Sequence, residues 1–363
     1  MKLENILKKN ELSKDEIEFL LSLKDKNDIQ KLFDRAYQIK SENVGKTVYL
    51  RGIIEFSNIC VKDCHYCGIR KSNKNVERFQ MTKEEIISSA VWTYENNYGS
   101  LLLQSGERCD AEFIDFIEDV LKTCKEKTDN EIGITISLGE QTEQTYRRWF
   151  NAGAHRYLLR IETSNPTLYN KLHPDNSIFE ERLKCLEFLR TIGYQVGTGV
   201  MIGLPEQTFA NLADDILFFR DKAIDMIGMG PYIPHHETPM AEEIENYDNE
   251  TQLELGLKMV AVTRIVLKDI NIAAATTLQT LKFDGREMGL KAGANIIMPN
   301  VSDTKYREAY QLYDHKPSLD ENSKQYRTCL TQRILNIGES IAFNKWGDSP
   351  AYFRKKRSEN KLT

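Results

Sequence analysis

The sequence predicts an α/β protein, a (β/α)8 barrel of the TIM type with N-terminal helices and a C-terminal extension over the barrel mouth. Three observations carry this. Eight short segments are apolar at most positions, without the alternation of a half-exposed sheet, so they read as parallel strands covered on both faces. Amphipathic helical patterns separate them, the βα repeat that closes into a barrel. Polar residues gather where these strands end, and a barrel of this type builds its active site there. A doubly wound open sheet is the alternative, but no Gly-x-Gly-x-x-Gly turn follows the first strand.

Each element has its own signal. Residues 1–45 read as helices: Ser13 and Glu16 form a capping box, and Ile17, Leu20 and Leu21 begin an apolar face. Asn43-Val-Gly-Lys46 breaks the pattern and marks the entry to the barrel, residues 46–300. The first strand spans 48–56, and Thr82 and Glu85 cap a helix to about 97. The second strand spans 101–104, with a helix over 111–126, and the third spans 132–138, with a helix over 142–151. The fourth covers 156–162 with a helix over 178–192, and the fifth 196–204 with a helix over 208–222. The sixth covers 226–233, followed by a polar loop and a helix over 251–268. The seventh is 272–277, and the eighth is 296–298 after a short helix. Past Asn300 the chain turns polar and rich in tyrosine, the expected extension over 301–363.

Composition narrows the function. The chain has 363 residues, a formal net charge of −5 and a pI near 5.8, which leaves no electrostatic footprint for nucleic acid. No apolar run approaches the length of a membrane span. The start, Met1-Lys2-Leu3-Glu4, leads into a charged amphipathic helix and not an apolar leader. Seven cysteines without a regular framework argue against a secreted disulfide scaffold and predict a reducing cytoplasm. Cys109, Cys124, Cys185 and Cys329 then read as packing residues or bystanders.

The other three cysteines are different. Cys60, Cys64 and Cys67 fall in a Cys-x3-Cys-x2-Cys spacing on the loop after the first strand. Three thiolates on one loop suit three irons of a 4Fe-4S cluster, whose usual complement is four cysteines. The fourth iron is left open to a cofactor or substrate, as a catalytic zinc keeps a position open. A structural zinc knuckle is the bland alternative; it needs a fourth ligand that the sequence does not supply as a second Cys-x2-Cys or a His pair.

Further residues stand at the strand ends. Gln104, Ser105, Gly106 and Glu107 close the second strand. Thr135, Ser137 and Glu140 close the third. Arg160 and Glu162, two apart on the fourth, are charges that must be paired or functional if buried. Glycines 197, 199 and 203 in the fifth strand suggest close backbone approach of a ligand. Thr276 and Thr277 close the seventh strand and Met298 the eighth. His235 and His236 read as loop residues more than as metal ligands.

The cysteine spacing, with Tyr66 just before Cys67, resembles the radical S-adenosylmethionine (radical-SAM) family. The resemblance implies one 4Fe-4S cluster on Cys60, Cys64 and Cys67, S-adenosylmethionine (SAM) as cofactor, and its reductive cleavage to a 5′-deoxyadenosyl radical. It further implies that Tyr66 and Met201 lie near the adenosyl part and that Gln104, Ser105, Gly106 and Glu107 hold the ammonium group. Glu162 would take the ribose hydroxyls, Arg182 the SAM carboxylate, and Ser137 would complete the cofactor set.

Segments Leu103-Gln-Ser-Gly-Glu107, Arg156-Tyr-Leu-Leu-Arg160-Ile-Glu162-Thr163, Gly228-Met-Gly-Pro231 and Ala294-Asn-Ile-Ile-Met298 are similar to the HydE-type maturases of FeFe-hydrogenase within this family. That implies an organometallic iron or small amino-acid-derived substrate, partner hydrogenase maturases, and a flavodoxin or ferredoxin as electron donor. Arg160 and Thr135 would hold a substrate carboxylate, and Thr276, Thr277, Met298, Tyr310 and Tyr313 would line the rest of the cavity. Many members carry three more cysteines for an accessory cluster. Here Ser318, Cys329 and Gln332 stand at those positions, so a single cluster is expected. A methylornithine synthase-like mutase is the alternative reading, biotin synthase is a more distant match, and a non-catalytic iron–sulfur scaffold is the alternative from another class.

Overall fold

Eight parallel strands form a ring, and the chain's two ends are stapled to its outside and its base. The computed structural model describes residues 2–174, 176–243, 247–317 and 323–359. Its strands are β1 (Thr47–Ser57), β2 (Ser100–Ser105), β3 (Gly133–Ser137), β4 (Arg156–Leu158), β5 (Gln195–Thr198), β6 (Met201–Ile202), β7 (Met226–Ile227), β8 (Gly230–Pro231), β9 (Asn271–Ile272), β10 (Ile296–Ile297) and β11 (Ser340–Ala342). The main sheet runs β10-β1-β2-β3-β4-β5-β7-β9, with every pair parallel. It closes where Ala273 bridges Ile296 and the Asn295 N–H donates to the Ile272 carbonyl at 2.9 Å. Leu101, Leu103, Ile134 and Ile136 are fully buried, which is why these strands show no alternation in sequence.

The expected fifth and sixth strands each divide in two: β5 and β6 are separate, as are β7 and β8, and β6 pairs only with β8. The cause lies at Gly199, where a Cβ would stand 1.9 Å from the Gly228 carbonyl oxygen. The Gly199 carbonyl accepts from the amides of both Ile161 and Glu162, at 3.1 and 3.0 Å. The fourth strand likewise leaves the main ladder after Leu158 and rejoins through a bridge from Glu162 to Val200. The upper half of the barrel therefore opens out on this side, and a cavity fills the space.

Two expectations are corrected nearby. Thr276 and Thr277 do not end a strand; they are the first turn of a helix, Thr276–Leu281, because the ladder stops at Ile272. A helix at Pro166–Leu172 was not expected. Asn165 caps it by accepting from the Leu168 N–H, and Pro166 opens it, so an N-cap and N1 signal was present in Asn165-Pro166.

The N-terminal helices Leu3–Leu7, Lys14–Leu21 and Lys26–Asn43 lie beside the barrel, the last two against helices Phe209–Asp221 and Asn249–Val266. The Ser13–Glu16 and Thr82–Glu85 capping boxes both form. The C-terminal extension divides. Residues 301–317 cross the mouth as expected, but β11 pairs with the opening residues of β1, Thr47 to Tyr49, at the opposite end. There the Trp346 carbonyl and Asp348 accept from the buried Arg156, the Gly347 carbonyl accepts from Arg51, and the barrel floor is sealed.

Candidate active site

The loop after β1 is held by one guanidinium. Arg78 donates to the carbonyls of Asn58, Ile69, Arg70 and Asn73 at 2.7, 2.8, 2.6 and 3.0 Å. Asp63 receives a fork from Arg70 at 2.8 and 3.0 Å, and also accepts from the Ser72 amide and hydroxyl. Gly68 is required, since a Cβ there would stand 2.3 Å from both the Gln311 carbonyl oxygen and a ring carbon of His235. The loop so fixed turns Cys60, Cys64 and Cys67, all half-buried, toward one cavity.

These sulfurs fit a multi-iron group better than a single ion. Among the described residues only His235, His236 and Asp314 bring three ligand atoms within 4.8 Å of one another, so the cysteines stand too far apart to share one tetrahedral zinc. Burial pushes the three thiols up, Cys64 to about 12, so they become thiolates only against a bound cation. The Glu107 amide lies 3.3 Å from the Cys60 sulfur, placed to donate to it.

The cavity holds about 340 Å³. Of the residues singled out in the sequence, Cys60, Cys64, Tyr66, Cys67, Gln104, Ser105, Gly106, Glu107, Ser137, Arg160, Glu162, Arg182, Met201, Thr276, Thr277, Met298, Tyr310 and Tyr313 all line it. Thr135 does not. Ser137 faces the cavity, and Thr135 lies two residues lower on the same face of β3, roughly 7 Å toward the floor. Its hydroxyl accepts from Arg156 Nε at 2.8 Å and borders a separate small void.

Beside the cysteines, charges alternate. Lys62 reaches Glu107 at 3.4 Å and Glu140 at 2.6 Å, and Arg182 reaches Glu140 at 2.5 Å and donates to the Arg160 carbonyl at 2.6 Å. Burial raises the Glu107 carboxyl, partly offset by Arg182 and Lys62. Glu140 is half-buried, and there the same two cations outweigh the burial and hold it below its ordinary value. Glu107 folds over Gly139, where a Cβ would stand 2.1 Å from the carboxylate. Tyr66 packs beside Met201, Leu172 and Tyr232, with its ring edge-on to His173 at 5.6 Å. His173 is pulled down to about 3, by burial and then by Arg182, and stays neutral.

Glu162 sits at φ +61°, a left-handed backbone that a non-glycine residue adopts at a cost. This turns its carboxylate onto Arg160, which donates through Nε and one terminal nitrogen at 2.7–3.0 Å. The other terminal nitrogen donates to the Gly228 carbonyl at 2.8 Å. Of the five N–H donors of the guanidinium, one remains on each terminal nitrogen, the pair that grips a carboxylate end-on. In the far half of the cavity the Thr276 hydroxyl accepts from Arg286 at 2.8 Å, and Gln104 donates to the Tyr310 hydroxyl at 3.3 Å.

Lys62, Glu55 and Lys316 also line the cavity and were missed in the sequence. Glu55 carried a signal, a carboxylate amid the apolar residues of the first strand. Lys62 sits between two ligands where any loop lysine reads the same, and Lys316 lies in a polar stretch without periodicity. His235 and His236 lie on a loop over the mouth. His236 pairs with Asp314 at 2.9 Å, which raises its pKa. The Glu237 amide donates to His235 Nδ1 at 3.2 Å, which leaves the proton of a neutral ring on Nε2, the nitrogen nearer Asp314. Cys124 and Cys185 are core residues and Cys109 and Cys329 are exposed. Cys329 and Gln332 share the helix Ser323–Asn336, and Ser318 lies outside the described residues.

Comparison with known proteins places this geometry. Residues 54–219 match the radical SAM superfamily. The [FeFe] hydrogenase maturase subunit HydE of Thermotoga maritima is 42% identical over 96% of this chain and 97% of its own. The 3-methylornithine synthase of Methanosarcina acetivorans is 26% identical over 92% of each. The crystal structure of a methylornithine synthase shares the fold at a TM-score of 0.80 and 23% identity, over 94% of this chain and 97% of that one. With three cysteines on one loop at the mouth of a parallel barrel, the chain belongs to the radical SAM superfamily and is a radical-SAM enzyme related to HydE.

Proposed function

We propose that this enzyme matures FeFe-hydrogenase, acting on an iron–carbonyl–cyanide complex of cysteine supplied by a partner maturase. The observation that carries the reading is the 42% identity to HydE over nearly the whole chain. A continuous cavity running from the cysteine loop to Arg160 supports it. Cys60, Cys64 and Cys67 would hold one 4Fe-4S cluster, which with SAM supplies a 5′-deoxyadenosyl radical when reduced, through a flavodoxin or ferredoxin.

The chain's own residues do the rest. Gln104, Ser105, Gly106 and Glu107 accept from the cofactor ammonium, and Arg182 grips its carboxylate once it turns from Glu140. Lys62 sits where it steadies the same carboxylate group. Glu162 accepts from a vicinal diol while Tyr66, Ser137 and Met201 border the adenosyl part. Arg160 presents its end-on fork to the carboxylate of a cysteine-derived ligand. Thr276, Thr277, Met298, Tyr310 and Tyr313 wall the far side and keep out water and stray C–H bonds. The enzyme is expected to work in the reducing cytoplasm with its partner maturases.

The second reading is an amino-acid mutase, favoured by the 26% identity to 3-methylornithine synthase over 92% of the chain. The experiment is anaerobic maturation of apo-hydrogenase with the partner maturases, SAM and reductant. Hydrogen evolution that requires this protein and vanishes with Cys64→Ala supports the maturase. Deoxyadenosine without hydrogenase activity moves the assignment to the mutase, and an intact cluster without SAM cleavage moves it to a scaffold.

A further inference from the structure

Residues 301–317 cross the cavity mouth, and several of their ties lie at its rim or outside it: Lys305 and Tyr306 donate to Glu85 at 2.6 and 2.9 Å, and the Ser302 hydroxyl accepts from the Glu55 amide at 2.7 Å. The Gly68 amide donates to the Leu312 carbonyl at 3.0 Å, and the Asp314 amide donates to the Pro234 carbonyl at 3.1 Å. Lys316 is different. Its ammonium turns inward, with the side chain 8% exposed, and meets both oxygens of Glu55 at 2.6 Å. Glu55 is 5% exposed, lies near the upper end of β1 and is aimed by Asn300, which donates to it at 2.7 Å. Lys316 also donates to the Tyr310 carbonyl at 3.0 Å and lies 5.0 Å over that ring, so it sets the tyrosine that Gln104 contacts. One side chain thus joins the far end of the mouth segment to the first strand, through the inside of the cavity.

The chemistry suits a contact that opens. Removing two charges from water is costly, and their attraction offsets this only while the geometry is held. When the segment lifts, both charges regain water, so the closed and open forms stay close in free energy. An apolar plug of the same volume has no such compensation in the open form.

We propose that Lys316 is a positioning residue, the clasp that fastens segment 301–317 to Glu55 and closes the cavity over its contents. That closure protects a radical rests on the reading above; the clasp itself does not.

The test is hydrogen exchange on the anaerobically reconstituted protein and its Lys316→Met, Glu55→Gln and Lys316→Arg variants. Lys316→Met and Glu55→Gln are expected to raise exchange over 301–317 roughly tenfold or more, with β2 and β3 protected as before. Lys316→Arg keeps the charge and is expected to stay near the native protection. Unchanged exchange in Lys316→Met and Glu55→Gln, or Lys316→Arg as open as Lys316→Met, overturns the clasp. With SAM and dithionite in deuterated buffer, the opened variants are expected to release several-fold more monodeuterated deoxyadenosine, the radical taking one electron from dithionite and one deuteron from solvent. The same deuteration in native and opened variants counts against closure as the guard. If the native protein forms no deoxyadenosine, the radical reading fails while exchange still decides the clasp.

Discussion

In the proposed function one pair, Arg160 and Glu162, serves two ligands. The left-handed turn at Glu162 spends the side edge of the Arg160 guanidinium on the carboxylate and leaves its end-on edge to the cavity. Lysine at 160 keeps the charge and loses that fork. Arg160→Lys is therefore expected to weaken substrate binding roughly tenfold or more while deoxyadenosine formation from SAM persists; equal loss of both in a single-turnover assay would move Arg160 to the cofactor side. Asp215 is a buried carboxyl whose partner is neutral: Ser164 donates to it through both amide and hydroxyl at 2.6 Å. Burial raises it from 3.8 to about 7. The folded protein thus keeps a proton that the unfolded chain releases near pH 4. The stabilisation is full below that pH and is lost as the pH rises through 7. Asp215→Asn is expected to flatten this slope and to raise the unfolding free energy from urea titration at pH 8 relative to native, by about 1 kcal/mol or more. A native midpoint that does not fall between pH 5 and 8 would contradict the assignment. Of these two features, only the Arg160–Glu162 pair is legible in the sequence, as two charges on an apolar strand. Asp215 reads as one more acidic residue on a helix, because its burial depends on which face packs inward.

At the scale of elements, the strand positions were legible because burial on both faces writes itself as a run of apolar residues. Their upper ends were not. Strands four, five, six and seven were read as continuous, yet the backbone contact of Gly199 on Gly228 and the turn at Glu162 depend on neighbours far away in sequence. Thr135 is expected among the substrate residues from the family resemblance and its place near a strand end, and neither gives its depth in the barrel. The cysteine loop is the opposite case: its spacing announces the ligands, while the arginine that shapes it is invisible. Arg78 donates to four carbonyls, of which only that of Arg70 also accepts a backbone amide, from Asn73 at 3.1 Å. Arg78→Ala is expected to lower iron incorporation several-fold while the far-ultraviolet spectrum of the barrel is kept. Iron content equal to native would show that the loop holds its shape without it.

Across the whole molecule, the ends of the chain act on the two ends of the barrel. Segment 301–317 roofs the cavity, and residues from Ser340 onward seal the floor around Arg51 and Arg156. The two chain ends also meet each other. Lys40, from the helix Lys26–Asn43, pairs with Glu339 at 2.9 Å with both side chains fully buried, and it donates to the Leu290 carbonyl at 3.1 Å. Removing one partner leaves the other charge buried and unpaired, so Lys40→Ala is expected to cost roughly 3–5 kcal/mol of stability by urea titration. The double variant Lys40→Met/Glu339→Leu is expected to cost much less, and equal losses in the two would contradict the pairing. Neither the floor nor this tie was foreseen, since the extension was read as covering the mouth alone.

In the proposed function three cysteines leave one iron of a single cluster open, beside residues that bind SAM. The measurement is electron paramagnetic resonance of the reconstituted, reduced protein before and after SAM is added, with iron counted on the same sample. About four irons per chain are expected, with a 4Fe-4S signal that shifts when SAM binds and loss of that shift in Arg182→Ala. A 4Fe-4S signal indifferent to SAM, or about eight irons per chain, would contradict that reading.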